Sequence, residues 1–139
     1  MYRWPLALAA LSASCLAALT AGPASASALP SVINASLSSV SCTAPNNYMA
    51  VGWFLGQIPG TSGFQNFTLA EQWDGTGWRV QPSPNPRGAA VAGFSGISCP
   101  GTAACMAVGS STDPTGESAF NLAEAWNGTN WSLVKTPHP

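Results

Sequence analysis

The chain has 139 residues, with four Lys or Arg against five Asp or Glu and only 6% charged residues. So few charges, with no basic run, argue against nucleic acid and anionic membrane surfaces as partners. Fourteen Gly and twelve Pro, with abundant Ser, Thr and Asn, favour short strands and turns over long helices, while the aromatic and β-branched content is too high for a disordered chain.

In chain order, the first element is a secretory signal helix. Arg3 supplies the positive start, Leu6–Leu19 the apolar run, and Ala21–Ala28 the small-residue end. The run is short for a membrane span of ~20 residues and is diluted by Ser12, Ser14 and Thr20. Cleavage is expected after Ala26 or Ala28. Removing Arg3 leaves Arg79, Arg87 and Lys135 against Glu71, Asp74, Asp113, Glu117 and Glu124, or 3 − 5 = −2.

The remainder is a duplication. "LSSVSCTAPNNYMAVG" (37–52) matches "FSGISCPGTAACMAVG" (94–109), with seven of 16 positions identical. "TLAEQWDGTGWRVQPSPNP" (68–86) matches "NLAEAWNGTNWSLVKTPHP" (121–139), with nine of 19 identical. Each copy reads as four short strands bounded by Pro, Gly, Asn and Asp. The predicted fold is all-β: two four-stranded antiparallel blade-like repeats of incomplete β-propeller type behind the signal helix. The domain reading is a signal over 1–28, a linker over 29–36, repeat 1 over 37–86, a linker over 87–93 and repeat 2 over 94–139. The copies differ in length only between the matched blocks, by 15 residues (53–67) against 11 (110–120). Length change at one spot predicts a surface loop there. Two blades are fewer than a closed propeller needs. Three arrangements follow: association of copies to complete a ring, two sheets face to face as a small sandwich, or a piece of a longer repeat protein.

The motifs S-C-x5-C-x-A-V-G and L-A-E-x-W-[ND]-G-T-x-W, followed by a Pro-rich end, resemble a repeat of secreted actinobacterial proteins. Those proteins are mostly uncharacterised and are taken to be β-propeller-like. The resemblance covers the whole chain after the signal and implies an extracellular, blade-built protein; it is nearly silent on activity. A fainter likeness to sialidase blades rests on Asp74, Gly75 and Trp78. Gln72 stands where that motif has its hydroxyl, and the second copy has Asn127 for Asp, so the likeness is one of turn chemistry.

Cys99 and Cys105 flank five residues, a span that a tight hairpin can close as a disulfide in an oxidising compartment. In the first copy Cys42 remains but Tyr48 takes the partner position. With Cys15 lost in the signal, Cys42 is expected to be an odd thiol in the core, or an intermolecular bridge. Three cysteines and one tail histidine, His138, give no metal-ligand set, and no cofactor is expected.

The best carboxylate pair for catalysis is Glu71 and Glu124, at equivalent positions of the two copies. The expected role is structural, with each Glu accepting backbone or Arg79 hydrogen bonds, and no enzymatic activity is predicted. The sequons at Asn34, Asn66, Asn127 and Asn130 matter only in a glycosylating host. Trp73, Asp74, Gly75 and Trp78, with Trp126, Asn127, Gly128 and Trp131, are read as a repeat clasp. With a four-residue loop the two Trp of each copy face one another; with a two-residue Asp-Gly turn they do not. The binding candidates are the aromatics of the long connection: Trp53, Phe54, Phe64 and Phe67. The functional expectation is a secreted, non-catalytic β-repeat protein for extracellular interaction or scaffolding, possible partners being copies of itself, a glycan or a cell-wall component. A lectin-like module is the alternative, and a sialidase-like hydrolase fragment stands behind both.

Overall fold

A computed structural model describes residues 31–137. The expected signal (1–28) and His138 lie outside the described residues. Among the described residues there are eight strands and no helix, forming two four-stranded sheets. Sheet 1 runs β1 (Val32–Ala44), β2 (Asn47–Gln57), β3 (Phe64–Trp73), β4 (Trp78–Gln81). Sheet 2 runs β5 (Ala92–Gly101), β6 (Ala104–Thr112), β7 (Ala119–Trp126), β8 (Trp131–Val134). Each is an antiparallel meander in sequence order. β1 starts at Val32, inside the stretch read as a linker, and β5 starts at Ala92, inside the other.

The extra length of the first copy is not a loop. The connection from β2 to β3 is residues 58–63, and that from β6 to β7 is residues 113–118, six residues in each case. β2 has 11 residues against 9 in β6, and β3 has 10 against 8 in β7. The difference of four is therefore two residues added to each arm of the hairpin. Of the 15-residue connection (53–67), residues 53–57 and 64–67 are paired strand; Trp53 and Phe54, read also as the end of the second strand, do lie in β2.

Both copies carry a bulge at the same place, between Leu37 and Ser39 in β1 and between Phe94 and Gly96 in β5. The bulge swings the neighbouring backbone over the glycine of the M-A-V-G motif. A Cβ on Gly52 would overlap the Ser36 carbonyl, and one on Gly109 the Gly93 carbonyl. That close approach, rather than turn chemistry, accounts for glycine in mid-strand.

Cross-strand partners share a face of a sheet, so the register defines two faces per sheet. The clasp face of sheet 1 carries Leu37, Val40, Tyr48, Ala50, Leu69, Glu71, Trp73 and Trp78. Its back face carries Ser39, Ser41, Met49, Val51 and Ala70. In sheet 2 the equivalents are Phe94, Ile97, Ala107, Leu122, Glu124, Trp126 and Trp131 on the clasp face, and Ser98, Met106, Val108, Ala123 and Ala125 on the back. The hydrophobic core joins Met49, Val51 and Ala70 to Phe94, Ala107, Leu122, Trp126 and Trp131. The clasp face of sheet 2 thus lies on the back face of sheet 1. β5 packs across β1, β2 and β3. Two backbone donors of β5 seal the contact: Cys99 N–H donates to Ser41 Oγ (3.0 Å) and Ile97 N–H to Ser39 Oγ (3.4 Å). The two sheets thus pack face to face, as in the small sandwich expected as one option, and they meet through unlike faces, the back of sheet 1 and the clasp face of sheet 2.

Candidate interaction site

The clasp is built from the turn outward. Residues 74–77 and 127–130 are four-residue loops, so Trp73 pairs directly with Trp78 and Trp126 with Trp131. The ring centroids are 5.7 Å apart in each pair, tilted by 54° and 44°, a favourable range for aromatic contact. Gly75 and Gly128 both take φ of 95°, a conformation that side chains disfavour. The residue before each glycine closes the turn with its side chain. Asp74 Oδ1 accepts from the Thr76 N–H (2.9 Å), the Thr76 hydroxyl (2.6 Å) and the Gly77 N–H (3.1 Å). Asn127 Oδ1 accepts from the Thr129 and Asn130 N–H groups at 2.9 and 2.8 Å. The oxygen they share does the turn's work, which is why Asp and Asn exchange here. Asp74 adds an exposed ion pair to Arg79 (2.8 Å). The Thr76 hydroxyl, then the two backbone N–H groups, and least of all Arg79, hold its carboxyl well below the usual carboxylate range.

The two clasps sit in different surroundings. Trp126 and Trp131 are buried between the sheets, where Trp131 also lies 6.1 Å from the Phe94 ring. Trp126 Nε1–H donates to the Thr102 carbonyl at 3.2 Å. Trp73 and Trp78 are half-buried on the outward clasp face.

Cys99 and Cys105 form the expected disulfide across the β5–β6 hairpin, their Cα atoms 4.1 Å apart. Cys42 is not the odd thiol expected: it is half-buried and disulfide-bonded. The expectation assumed that no partner remained for it.

The two glutamates are not brought together. Glu124 lies on the clasp face of sheet 2, between the sheets; Glu71 lies on the clasp face of sheet 1, on the far side of that sheet. Arg79 serves neither, since it is held by Asp74. Glu124 is fully buried, and neither carboxylate oxygen has a hydrogen-bond partner. Burial pushes its pKa up to about 8. Burial also raises Glu71, which is half-buried. The sequence reading missed this asymmetry, because it gave equivalent positions equivalent partners.

The four aromatics of the connection also part company. Phe54 stacks on Phe67, with centroids 5.1 Å apart and planes 23° off parallel. Trp53 points to the opposite face, where it lies against Gly93 of sheet 2. Phe64 stands at the hairpin end, half-exposed, paired with Gln57. A cleft of about 230 Å³ beside Trp53 is lined by Asn66, Val91, Gly93 and Ser110. A second groove of about 440 Å³ runs over the back face of sheet 2, lined by Val108, Ala123, Asn121, Thr136 and Pro137. No family model, curated protein or solved structure matches this chain.

Proposed function

We propose that the chain is a secreted, blade-type β-repeat protein of the propeller kind that works by binding, in extracellular interaction or scaffolding, and without catalysis of its own. The observation that carries this reading is the pair of outer sheet faces. Leu37 and Val40 on one, and Met106, Val108 and Val134 on the other, are exposed on a body with almost no charge. Exposed apolar ground of this kind marks interaction surfaces. The Cys99–Cys105 bridge is in keeping with an oxidising compartment. The partners are copies of the chain itself, a glycan or a cell-wall component.

The lectin-like reading keeps one specific support: Phe64 is exposed at the end of the extended hairpin, cross-strand from Gln57 on the same face, an aromatic with an amide of the type that stacks on sugars. The test of both readings uses the purified protein on a glycan array and on cell-wall fragments, with chromogenic glycosides assayed in parallel. Retention without turnover is the expected result. Loss of glycan retention in Phe64→Ala, with wall retention unchanged, assigns the lectin role. Turnover that disappears in Glu71→Gln would overturn the non-catalytic reading.

A further inference from the structure

Sheet 2 covers the Met49 and Val51 end of the back face of sheet 1. The longer hairpin of the first copy carries that face further, through Trp53 on β2 and Asn66 and Phe64 on β3. At the border lies the open cleft of about 230 Å³. Two bulges aim side chains into it. Ser38 is the extra residue of the β1 bulge and Ser95 that of the β5 bulge, and both line the cleft and are exposed. Bulges commonly re-aim side chains beside functional sites. Trp53 forms the apolar wall, so close to sheet 2 that a Cβ on Gly93 would press on it. Asn66, whose backbone is bridged to Val91, and Ser110 complete the polar lining.

These polar groups are not used by the fold. Among the described residues, the side chains of Ser38, Asn66, Ser95 and Ser110 make no hydrogen bond to the protein. Thr68, next to Asn66 on the same face, by contrast spends its hydroxyl on Ser83 and Asn85. Nor is the indole a demand of the repeat, since the second copy has Ser110 at the position of Trp53. No charged side chain lines the cleft, so an ionised ligand would find no counter-charge there. Ser and Asn side chains both donate and accept. An indole face among such groups suits a ring with C–H groups on its face and hydroxyls on its edge.

We propose that the Trp53 cleft binds one ring of a neutral oligosaccharide, and that Phe64 stacks on a ring further along the same sugar chain. This rests on the binding role proposed above and names its site and ligand class. The cleft is smaller than the ~300–1,000 Å³ of pockets for drug-sized ligands, which is room for a single ring. Phe64 is half-exposed on the same face. It lies four residues along β3 from Thr68, the cross-strand partner of Trp53, or about 13 Å at ~3.4 Å per residue. An oligosaccharide spans that distance and a single sugar does not.

The test is titration of the purified protein with cellohexaose, chitohexaose and maltohexaose, followed by calorimetry and Trp fluorescence. The matching monosaccharides and a charged oligogalacturonate serve as comparisons. Wild type is expected to bind at least one of the three hexasaccharides, its monosaccharide more weakly, and the oligogalacturonate not at all. Trp53→Ala is expected to weaken hexasaccharide binding by at least about tenfold. Phe64→Ala is expected to weaken the hexasaccharide and leave the monosaccharide unchanged. Far-UV circular dichroism establishes that each variant folds. If Trp53→Ala does not, Asn66→Asp and Ser38→Leu, which put a carboxylate and bulk into the cleft, are expected to abolish binding in its place. Binding of none of the three, equal binding of oligogalacturonate, or affinity indifferent to the cleft variants would each overturn the inference. Hexasaccharide affinity unchanged in Phe64→Ala would overturn the second contact. Retention on wall fragments in any of these cases leaves the proposed function in place. Glycoside turnover with binding still lost in Trp53→Ala would do the reverse.

Discussion

Glu124→Gln gives the most direct test of how the two sheets meet. The carboxyl is fully buried, with neither oxygen hydrogen-bonded, so its ionised form loses water and gains nothing. Its pKa rises from 4.5 to about 8 in the folded protein. A carboxyl with a raised folded pKa contributes most favourably when it is protonated in both states, below pH 4.5. The stability then falls as pH climbs from 4.5 towards 8, and levels off above. At pH 7 the unfolded carboxyl has ionised over about 2.5 pH units while the folded one still holds its proton; at ~1.4 kcal/mol per unit this costs about 3 kcal/mol. Gln keeps the shape and the polarity and cannot ionise. The variant is therefore expected to match wild type near pH 4 and to exceed it by about 3 kcal/mol at pH 7, on the order of 10 °C in Tm. Denaturation followed by Trp fluorescence from about pH 4 to about pH 9 checks this. Glu71 is retained in both proteins, so its own raised pKa cancels in the difference. Parallel stability curves for the two proteins over that range would show that Glu124 is solvated or paired, and would refute the stacking of the sheet 2 clasp face on sheet 1.

Asn127→Ala removes the acceptor that closes the second turn and is expected to cost about 1 kcal/mol by thermal melting, whereas Asp74→Asn is expected to leave the neutral-pH melt nearly unchanged because Asn127 performs the same closure. Gly109→Ala drives a Cβ into the Gly93 carbonyl and is expected to destabilise by about 3 kcal/mol; a melt like wild type would show that the bulge relaxes. The Cys99→Ser, Cys105→Ser double variant opens a seven-residue loop and is expected to lose about 2 kcal/mol in guanidinium unfolding, most of it from the unfolded state.

Much of the fold is legible because the repeat aligns its own turns. Asp74-Gly75 and Asn127-Gly128 mark a hairpin in both copies, and a local hydrogen bond from one shared side-chain oxygen explains both. The bridge from Cys99 to Cys105 is readable for the same reason, being decided within seven residues. The reading fails where alignment gaps are taken for loops. "WFLGQ" follows the first matched block and "FQNF" precedes the second, yet they continue the strands on either side, and the adjacent Trp53 and Phe54 then point to opposite faces. Trp53 and Phe54 cannot line one site on that backbone, so a single binding loop dissolves into an inter-sheet contact, a stacked pair and one exposed ring. Continuing the period-2 pattern of "YMAVGWF" through residue 57, and that of "TLAEQW" back through residue 64, finds this.

The largest gap lies in the glutamates, and its cause is physical. Glu71 and Glu124 have the same neighbours along the chain and across the strands, so no local pattern separates them. What separates them is which sheet lies over them: Glu124 has the back of sheet 1 above it, and Glu71 has no described sheet above it. The same argument makes the difference informative. Burial raises the Glu71 carboxyl too, but Glu71 is only half-buried, so Glu71→Gln is expected to gain stability over wild type as pH rises above the carboxylate range, in the same direction as Glu124→Gln and by less. Equal gains for the two variants, read from the same fluorescence denaturation curves, would show that Glu71 is covered as fully as Glu124 and would refute the asymmetry.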